Sequence, residues 1–186
     1  MSDIFTHAPH GQIKLFHPLP EQFPIWFIAK SLSRLARWTG YTDAPYSIAQ
    51  HSILVARNVS KEAKPYALLH DAHEAVIGDI TTPVKRALKE LNGYDSVKEL
   101  TGIIDEAIYE RYDLDWPVPK HIKQEVHEAD LAAAATEYRD LLSHHDDNTP
   151  TWVEEFPKPF AEQIIPVPWW EAELWFMEEA KILGLR

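Results

Sequence analysis

The apolar positions of this chain recur every three or four residues over most of its length, which is the spacing of amphipathic α-helices. One such stripe contains Ile28, Leu32 and Leu35, and a later one contains Leu100 and Ile104. The stripes predict helices over residues 25–38, 48–59, 65–78, 84–92, 96–112, 121–142 and 168–184. The predicted fold class is therefore all-α, in the form of a helical bundle.

Boundary signals accompany several of these helices. Ser47 and Gln50 have the S-x-x-Q spacing of a capping box, in which two side chains satisfy free backbone donors, so a helix should begin at residue 48. Gly78 follows the apolar positions of the next helix and indicates its end. That helix would carry His70 and Asp71 near its middle.

Two proline-rich segments interrupt the helical pattern. Residues 1–24 are expected to form an extended or looped arm that packs against the body, and residues 143–168 a polar loop. The length is typical of one domain, which we take as residues 1–186. Its core would span about residues 25–142, with the loop and a last helix over residues 143–186.

The composition restricts the chemistry that the chain can perform. With 45% hydrophobic residues it can bury a substantial core, and without cysteine any metal must be held by His, Asp or Glu. The formal charge of -11 argues against a nucleic-acid surface, which needs clustered Lys and Arg. A small anionic substrate remains compatible with this charge if positive side chains are concentrated locally.

Location and assembly can also be predicted from the sequence. No apolar run approaches the ~18 residues that a membrane span needs, and the N-terminus lacks the plan of a signal peptide, so we expect no membrane partner and a cytoplasmic protein. The last predicted helix is rich in tryptophan, which could cover the core or form an oligomer contact. We expect a homo-oligomer.

The adjacent pair His70 and Asp71 is the first candidate for chemistry. On a helix the two side chains lie about 100° apart, so both can face one ion. The alternative is a hydrogen-bonded core histidine beside an ordinary carboxylate. Asp130 favours the ion, because it lies at the edge of an apolar stripe between Val126 and Ala133, where an unpaired carboxylate has a large desolvation cost.

His51 could join this group. It lies in the first turn of a helix whose C-terminal end leads to the segment of His70, so a helical hairpin can bring the two imidazoles together. Two imidazoles and two carboxylates suit a transition ion such as Mn, Fe, Co, Ni or Zn. An octahedral ion with four protein ligands keeps open positions for water and a phosphate oxygen.

The order His51, His70-Asp71 and Asp130 resembles the H…HD…D pattern of the HD phosphohydrolase superfamily. The stretches YSIAQHSILVA, ALLHDAHEAVIGDITTPVK and EADLAAAATEYRDLL are similar to blocks of small bacterial and phage HD proteins. These include the 5'-deoxynucleotidases and the phage dATP triphosphohydrolases. The resemblance covers roughly residues 25–142.

This resemblance implies that His51, His70, Asp71 and Asp130 ligate one divalent transition-metal ion, which would lower the pKa of a bound water. The implied activity is hydrolysis of a deoxynucleotide phosphate. Release of phosphate from a monophosphate and release of triphosphate from a dNTP such as dATP both stay open. Mg²⁺ with a triphosphate substrate also stays open.

Further roles follow from the same resemblance. Glu74 would orient the nucleophile or move a proton, with Asp79 beside it, although the two could be a solvated helix carboxylate and a turn cap. Arg37 would donate to phosphate and Trp38 would exclude a 2'-hydroxyl, although Trp38 could simply extend an apolar stripe. Lys85 would offset phosphate charge, although an exposed helix lysine is the commoner explanation.

The chain departs from the family pattern at His73, where a small residue is more usual. Because it lies three residues after His70, it could be an additional ligand or a hydrogen-bond donor beside the metal. The extra ligands of two-metal HD enzymes are not evident in matching order, although His121 and His127 leave that question open. Two other functions remain: a catalytically silent metal or nucleotide sensor, and a helical interaction protein.

Overall fold

The computed structural model describes residues 4–142 and 156–186 and confirms the all-α bundle. Its helices are α1 (Ile25–Leu32), α2 (Ile48–Arg57), α3 (Lys64–Leu69), α4 (Glu74–Ile77), α5 (Thr82–Asn92), α6 (Ser96–Arg111), α7 (Lys120–Leu141) and α8 (Trp169–Ile182). Within this described part, no helix combines the length and apolar content needed to cross a membrane.

The N-terminal arm contains a hairpin that the hydrophobic pattern does not predict. Strands β1 (Phe5–Ala8) and β2 (Gly11–Lys14) pair antiparallel. Ile13 of β2 and Phe23 further along the arm are fully buried, so the arm packs against the helices as expected. The outer positions of both strands are exposed, and short exposed strands carry too little alternation to be recognised in a sequence.

Helix α2 lies at the centre of the bundle, where it contacts α3, α7 and α8. Ile48 and Ile53 of α2 are buried together with Leu68 of α3 and Phe176 of α8. Each such side chain contributes about 1.5–3 kcal/mol through burial of apolar surface. This packing fixes α2 against α3 and α7, the neighbours that carry or precede the other candidate residues.

The helix predicted over residues 25–38 is too long. Helix α1 ends at Leu32, and the chain then turns so that Ala36 forms a bridge with Ser47 and the Arg37 amide donates to the Tyr46 carbonyl at 2.9 Å. Pairing with the segment before α2 therefore replaces the last helical turns. Trp38 follows with a left-handed φ of 57°, an unfavourable conformation for a bulky residue.

The helix predicted over residues 65–78 is interrupted, so His70 and Asp71 are not in its middle. They lie in the turn between α3 and α4, where i to i+3 bonds such as the Glu74 amide to the Asp71 carbonyl replace helical ones. The Ala67 carbonyl accepts a hydrogen bond from the His70 ring at 2.7 Å. A side chain thus takes an acceptor that a continuous helix would give to a backbone amide.

Helix α2 begins at residue 48 as predicted, and the Ser47 hydroxyl accepts from the Gln50 amide. The reciprocal half of the capping box is wrong, because the Gln50 side chain instead bonds the backbone of Ile165 and Val167. Of the loop predicted for residues 143–168, residues 143–155 lie outside the described part. Residues 156–168 contain no helix or strand.

Candidate metal centre

Four side chains from α2, α7 and the turn after α3 converge on one point. His51 lies in the first turn of α2, where it is fully buried, and its Nε2 is 3.1 Å from Asp130 Oδ1 of α7. His70 Nε2 is 3.3 Å from the same His51 nitrogen and 3.2 Å from Asp71 Oδ2. The four residues expected from the sequence are therefore brought together.

The hydrogen bonds at the far side of each ring determine which nitrogen faces this point. His51 Nδ1 donates to Glu137 Oε1 at 2.6 Å, and His70 Nδ1 donates to the Ala67 carbonyl at 2.7 Å. In the neutral imidazoles, both Nε2 atoms therefore carry lone pairs. Two nitrogen lone pairs and two carboxylates that face one point favour a cation between them.

The spacing of these donors fits a divalent cation. The separations of His51 Nε2 and His70 Nε2 from the Asp71 and Asp130 oxygens range from 3.1 to 3.9 Å. Ligands bound at 2.1 Å to one ion are about 3.0 Å apart at octahedral and about 3.4 Å apart at tetrahedral angles. His51, His70 and Asp130 can thus hold a metal ion, and Asp71 reaches both imidazoles.

The pKa values around the centre show the same preference for positive charge. Burial opposes a charged imidazole, but the neighbouring Asp71 carboxylate outweighs it and raises the pKa of His70 to about 9. Burial likewise opposes a charged carboxylate, yet hydrogen bonding to His51 lowers the pKa of Asp130 to about 2. A divalent ion supplies this positive charge while it leaves both ring nitrogens unprotonated.

Glu137 is a member of the site that the sequence interpretation missed. It is fully buried on α7, and besides His51 it accepts from Trp38 Nε1 at 2.8 Å and from Arg37 Nε at 3.2 Å. Burial would raise its pKa, but the nearby charges of Arg37 and His51 hold the pKa below its usual value. One carboxylate therefore orients a candidate ligand, His51, and two of the three candidate substrate-binding residues, Arg37 and Trp38.

Arg37 and Trp38 lie beside the centre, as expected. The Arg37 side chain is 18% exposed and has its terminal nitrogen 3.7 Å from Asp130 Oδ1. Its burial would lower its pKa, but Glu137, Asp71 and Asp130 raise it, so the guanidinium stays charged. The left-handed turn at Trp38 returns the indole N–H to the interior, and this explains why the residue does not extend the stripe of α1.

Glu74 and Asp79 complete an acidic side of the site. Glu74 is only 3% exposed, and burial together with the charges of Asp71 and Asp79 raises its pKa to about 9. Asp79 is half-buried, and its pKa is also raised, first by burial. Lys85 of α5 is close enough for its charge to lower the pKa of both groups.

Three other histidines, His73, His121 and His127, are candidates for additional ligands, and they lie in different surroundings. His73 is buried, and its Nδ1 donates to Asp105 Oδ1 of α6 at 2.9 Å. His121 is largely exposed beside Glu62, and His127 is exposed on α7. His73 therefore lies near the centre, whereas His121 and His127 do not contribute to either donor group found among the described residues.

Two bacterial proteins are similar in sequence to this chain, and no family model matches it. An uncharacterized protein of Rhodobacter capsulatus is 36% identical over 135 residues, 68% of this chain and 66% of that protein. The uncharacterized protein YfdR of Escherichia coli is 36% identical over 151 residues, 81% of this chain and 79% of that protein. The chain thus spans just under two thirds of the first relative and more of the second.

Proposed function

This chain belongs to the same protein family as YfdR of Escherichia coli, and we propose that it is a cytoplasmic divalent-metal-dependent phosphohydrolase of the HD type that acts on deoxynucleotides. The observation that supports this proposal is the convergence of His51, His70, Asp71 and Asp130. They occur in the order of the H…HD…D pattern.

Three of the four candidate ligands remain partly exposed, which supports a centre that a substrate can reach. The Asp130 side chain is 32% exposed, Asp71 16% and His70 13%, whereas His51 is fully buried. An ion held there would supply charge that polarises a phosphoryl oxygen and acidifies water. Arg37, whose terminal nitrogen is 3.7 Å from Asp130 Oδ1, would donate hydrogen bonds to a second phosphoryl oxygen.

Glu74 is the candidate for proton transfer. In hydrolysis a water oxygen bonds to phosphorus, the bond from phosphorus to the leaving oxygen breaks, and the leaving oxygen gains a proton while the water loses one. With a pKa near 9 in the metal-free protein, the Glu74 carboxyl carries a proton at neutral pH that it can donate to the leaving oxygen. Asp79 favours this protonated form because its charge raises the pKa of Glu74.

Two features support a small phosphorylated substrate. The overall charge is -11, yet Arg37 and Lys85 place positive charge beside the centre. Trp38 is held next to Arg37 by its bond to Glu137, where its ring can restrict the space for a sugar. We propose that this restriction excludes a 2'-hydroxyl, with monophosphates and triphosphates such as dATP as the two alternatives.

The proposed activity can be tested with a panel of substrates. The protein, stripped with a chelator and reloaded with Co²⁺ or Mn²⁺, should release phosphate or triphosphate from deoxynucleotides and less from ribonucleotides. Chromatography of products from dNMPs, dNTPs and their ribo counterparts shows which bond is cleaved and which base and sugar are preferred. A metal-loaded protein that releases neither phosphate nor triphosphate from any of these nucleotides would contradict the proposal. It would favour the alternative of a catalytically silent metal or nucleotide sensor.

Trp38→Ala should reduce the preference for deoxy over ribo substrates by about tenfold or more, because a hydroxyl that the indole excludes would then fit. The kcat/KM ratio for the matched deoxy and ribo substrates measures this preference. Trp38→Phe is the matched control, since it keeps most of the ring but loses the N–H bond to Glu137, and it should retain more of the preference than Trp38→Ala. Equal losses on both sugars in Trp38→Ala would contradict the selector role.

A further inference from the structure

A second group of donors lies beside the candidate metal centre. One carboxylate oxygen of Asp71, one ring nitrogen of His73 and one carboxylate oxygen of Glu74 all lie within 4.8 Å of one another. The turn between α3 and α4 produces this arrangement, because its tight i to i+3 bonds place all three residues within a single turn. The single-ion centre does not use His73.

His73 is oriented in the same manner as His51. Its Nδ1 donates to Asp105 Oδ1 at 2.9 Å, and the residue is 8% exposed. A carboxylate that accepts from one ring nitrogen fixes the ring and leaves the lone pair of the other nitrogen for a metal. Asp105 lies on α6, so a separate helix holds this histidine in place.

Glu74 provides an independent sign that a ligand belongs here. Glu74 Oε2 is buried and has no hydrogen-bond partner in the protein, although the residue as a whole is only 3% exposed. A buried carboxyl oxygen without a partner carries the full cost of its lost solvation. A cation bound to Oε2 would remove this cost.

We propose that Asp71, His73 and Glu74 form a second divalent-cation site, with Asp71 shared between the two centres. Asp71 Oδ2 faces His70 and His51 at 3.2 and 3.6 Å, which leaves its other oxygen for the second ion. One imidazole and two carboxylates suit Mn²⁺, Fe²⁺ or Zn²⁺. Two ions that share a carboxylate are typically about 3.5–4 Å apart.

The position of the second site, next to the first, gives it a role in phosphate hydrolysis. That role rests on the proposed function. With the second ion bound, Glu74 would act as its ligand, and the ion would stabilise the leaving oxygen in place of the Glu74 proton. A phosphoryl group bound by Arg37 and the first ion could then contact both ions. Binding of the second ion requires only Asp71, His73 and Glu74, so it can be tested without any substrate.

The test uses the whole 186-residue chain, stripped with a chelator and titrated with Mn²⁺ alone. Calorimetry should give two bound equivalents for the wild-type protein, and electron paramagnetic resonance should show a spin-coupled Mn²⁺ pair. His73→Asn keeps a donor for Asp105 but loses the second ring nitrogen, so it should bind one equivalent without coupling. The control His121→Asn changes an exposed histidine outside both groups and should still bind two.

A wild-type protein that binds one equivalent, or a His73→Asn protein that still binds a coupled pair, would overturn the second site. If His73→Asn does not fold, as judged by circular dichroism, Glu74→Gln provides the same comparison. The two proposals can fail separately. Phosphate release with one bound equivalent would retain the phosphohydrolase and reject the second site, whereas a coupled pair without phosphate release would do the reverse.

Discussion

Asp71→Ala is expected to lower the rate of phosphate release to below about one thousandth of the wild-type rate. Asp71 Oδ2 lies 3.2 Å from His70 Nε2, and burial of the carboxyl is outweighed by the charge of His70, which holds its pKa well below the usual value. The variant removes a negative ligand from the centre and leaves the two imidazoles facing each other. Steady-state release of phosphate or triphosphate measures the effect.

Two further variants separate loss of the ligand from loss of the fold. Asp71→Asn has nearly the same shape without the charge, so it should lose activity while it retains the wild-type circular dichroism spectrum. Asp115→Ala removes an exposed carboxylate outside the site and should leave the rate unchanged. A folded Asp71→Ala protein with wild-type turnover would rule out the assignment of this centre as the active site.

The parts of the fold that could be predicted are those with local causes. Helix α2 begins where Ser47 caps it, and α7 follows from its apolar stripe and its run of alanines. The break at His70 has a tertiary cause, because it depends on a ring nitrogen taking the Ala67 carbonyl while the other nitrogen faces α2 and α7. A sequence pattern contains no information on such a competition.

The candidate site could be predicted where burial and motif order agreed. Asp130 is predictable because a carboxylate at the edge of an apolar stripe needs a partner, and in the structure its Oδ1 lies 3.1 Å from His51 Nε2. The same reasoning applies to Glu137, which lies seven residues later on the same face of α7, just after the alanines at 132–135 and Thr136. Its three partners come from segments distant in sequence, so its role emerges only from the fold.

Glu137→Gln should weaken metal binding by about 10–100-fold, because loss of a carboxylate behind a histidine ligand loosens the ring and lowers its basicity. The variant should also be less stable by about 3–5 kcal/mol, since it leaves the buried Arg37 charge without its main partner. Mn²⁺ titration calorimetry measures the first effect and denaturant unfolding of the metal-free protein measures the second. Glu128→Gln, at an exposed position of the same helix, is the matched control and should change neither quantity.

The two effects of Glu137→Gln have different causes and should separate in a double variant. Arg37→Met removes the buried charge that Glu137 balances, so combining it with Glu137→Gln should recover part of the lost stability. Metal affinity should not recover, because His51 Nδ1 still lacks its carboxylate acceptor. Recovery of both stability and metal affinity in the double variant would mean that Glu137 acts only through Arg37. Wild-type metal affinity in the folded Glu137→Gln protein would show that Glu137 does not position His51.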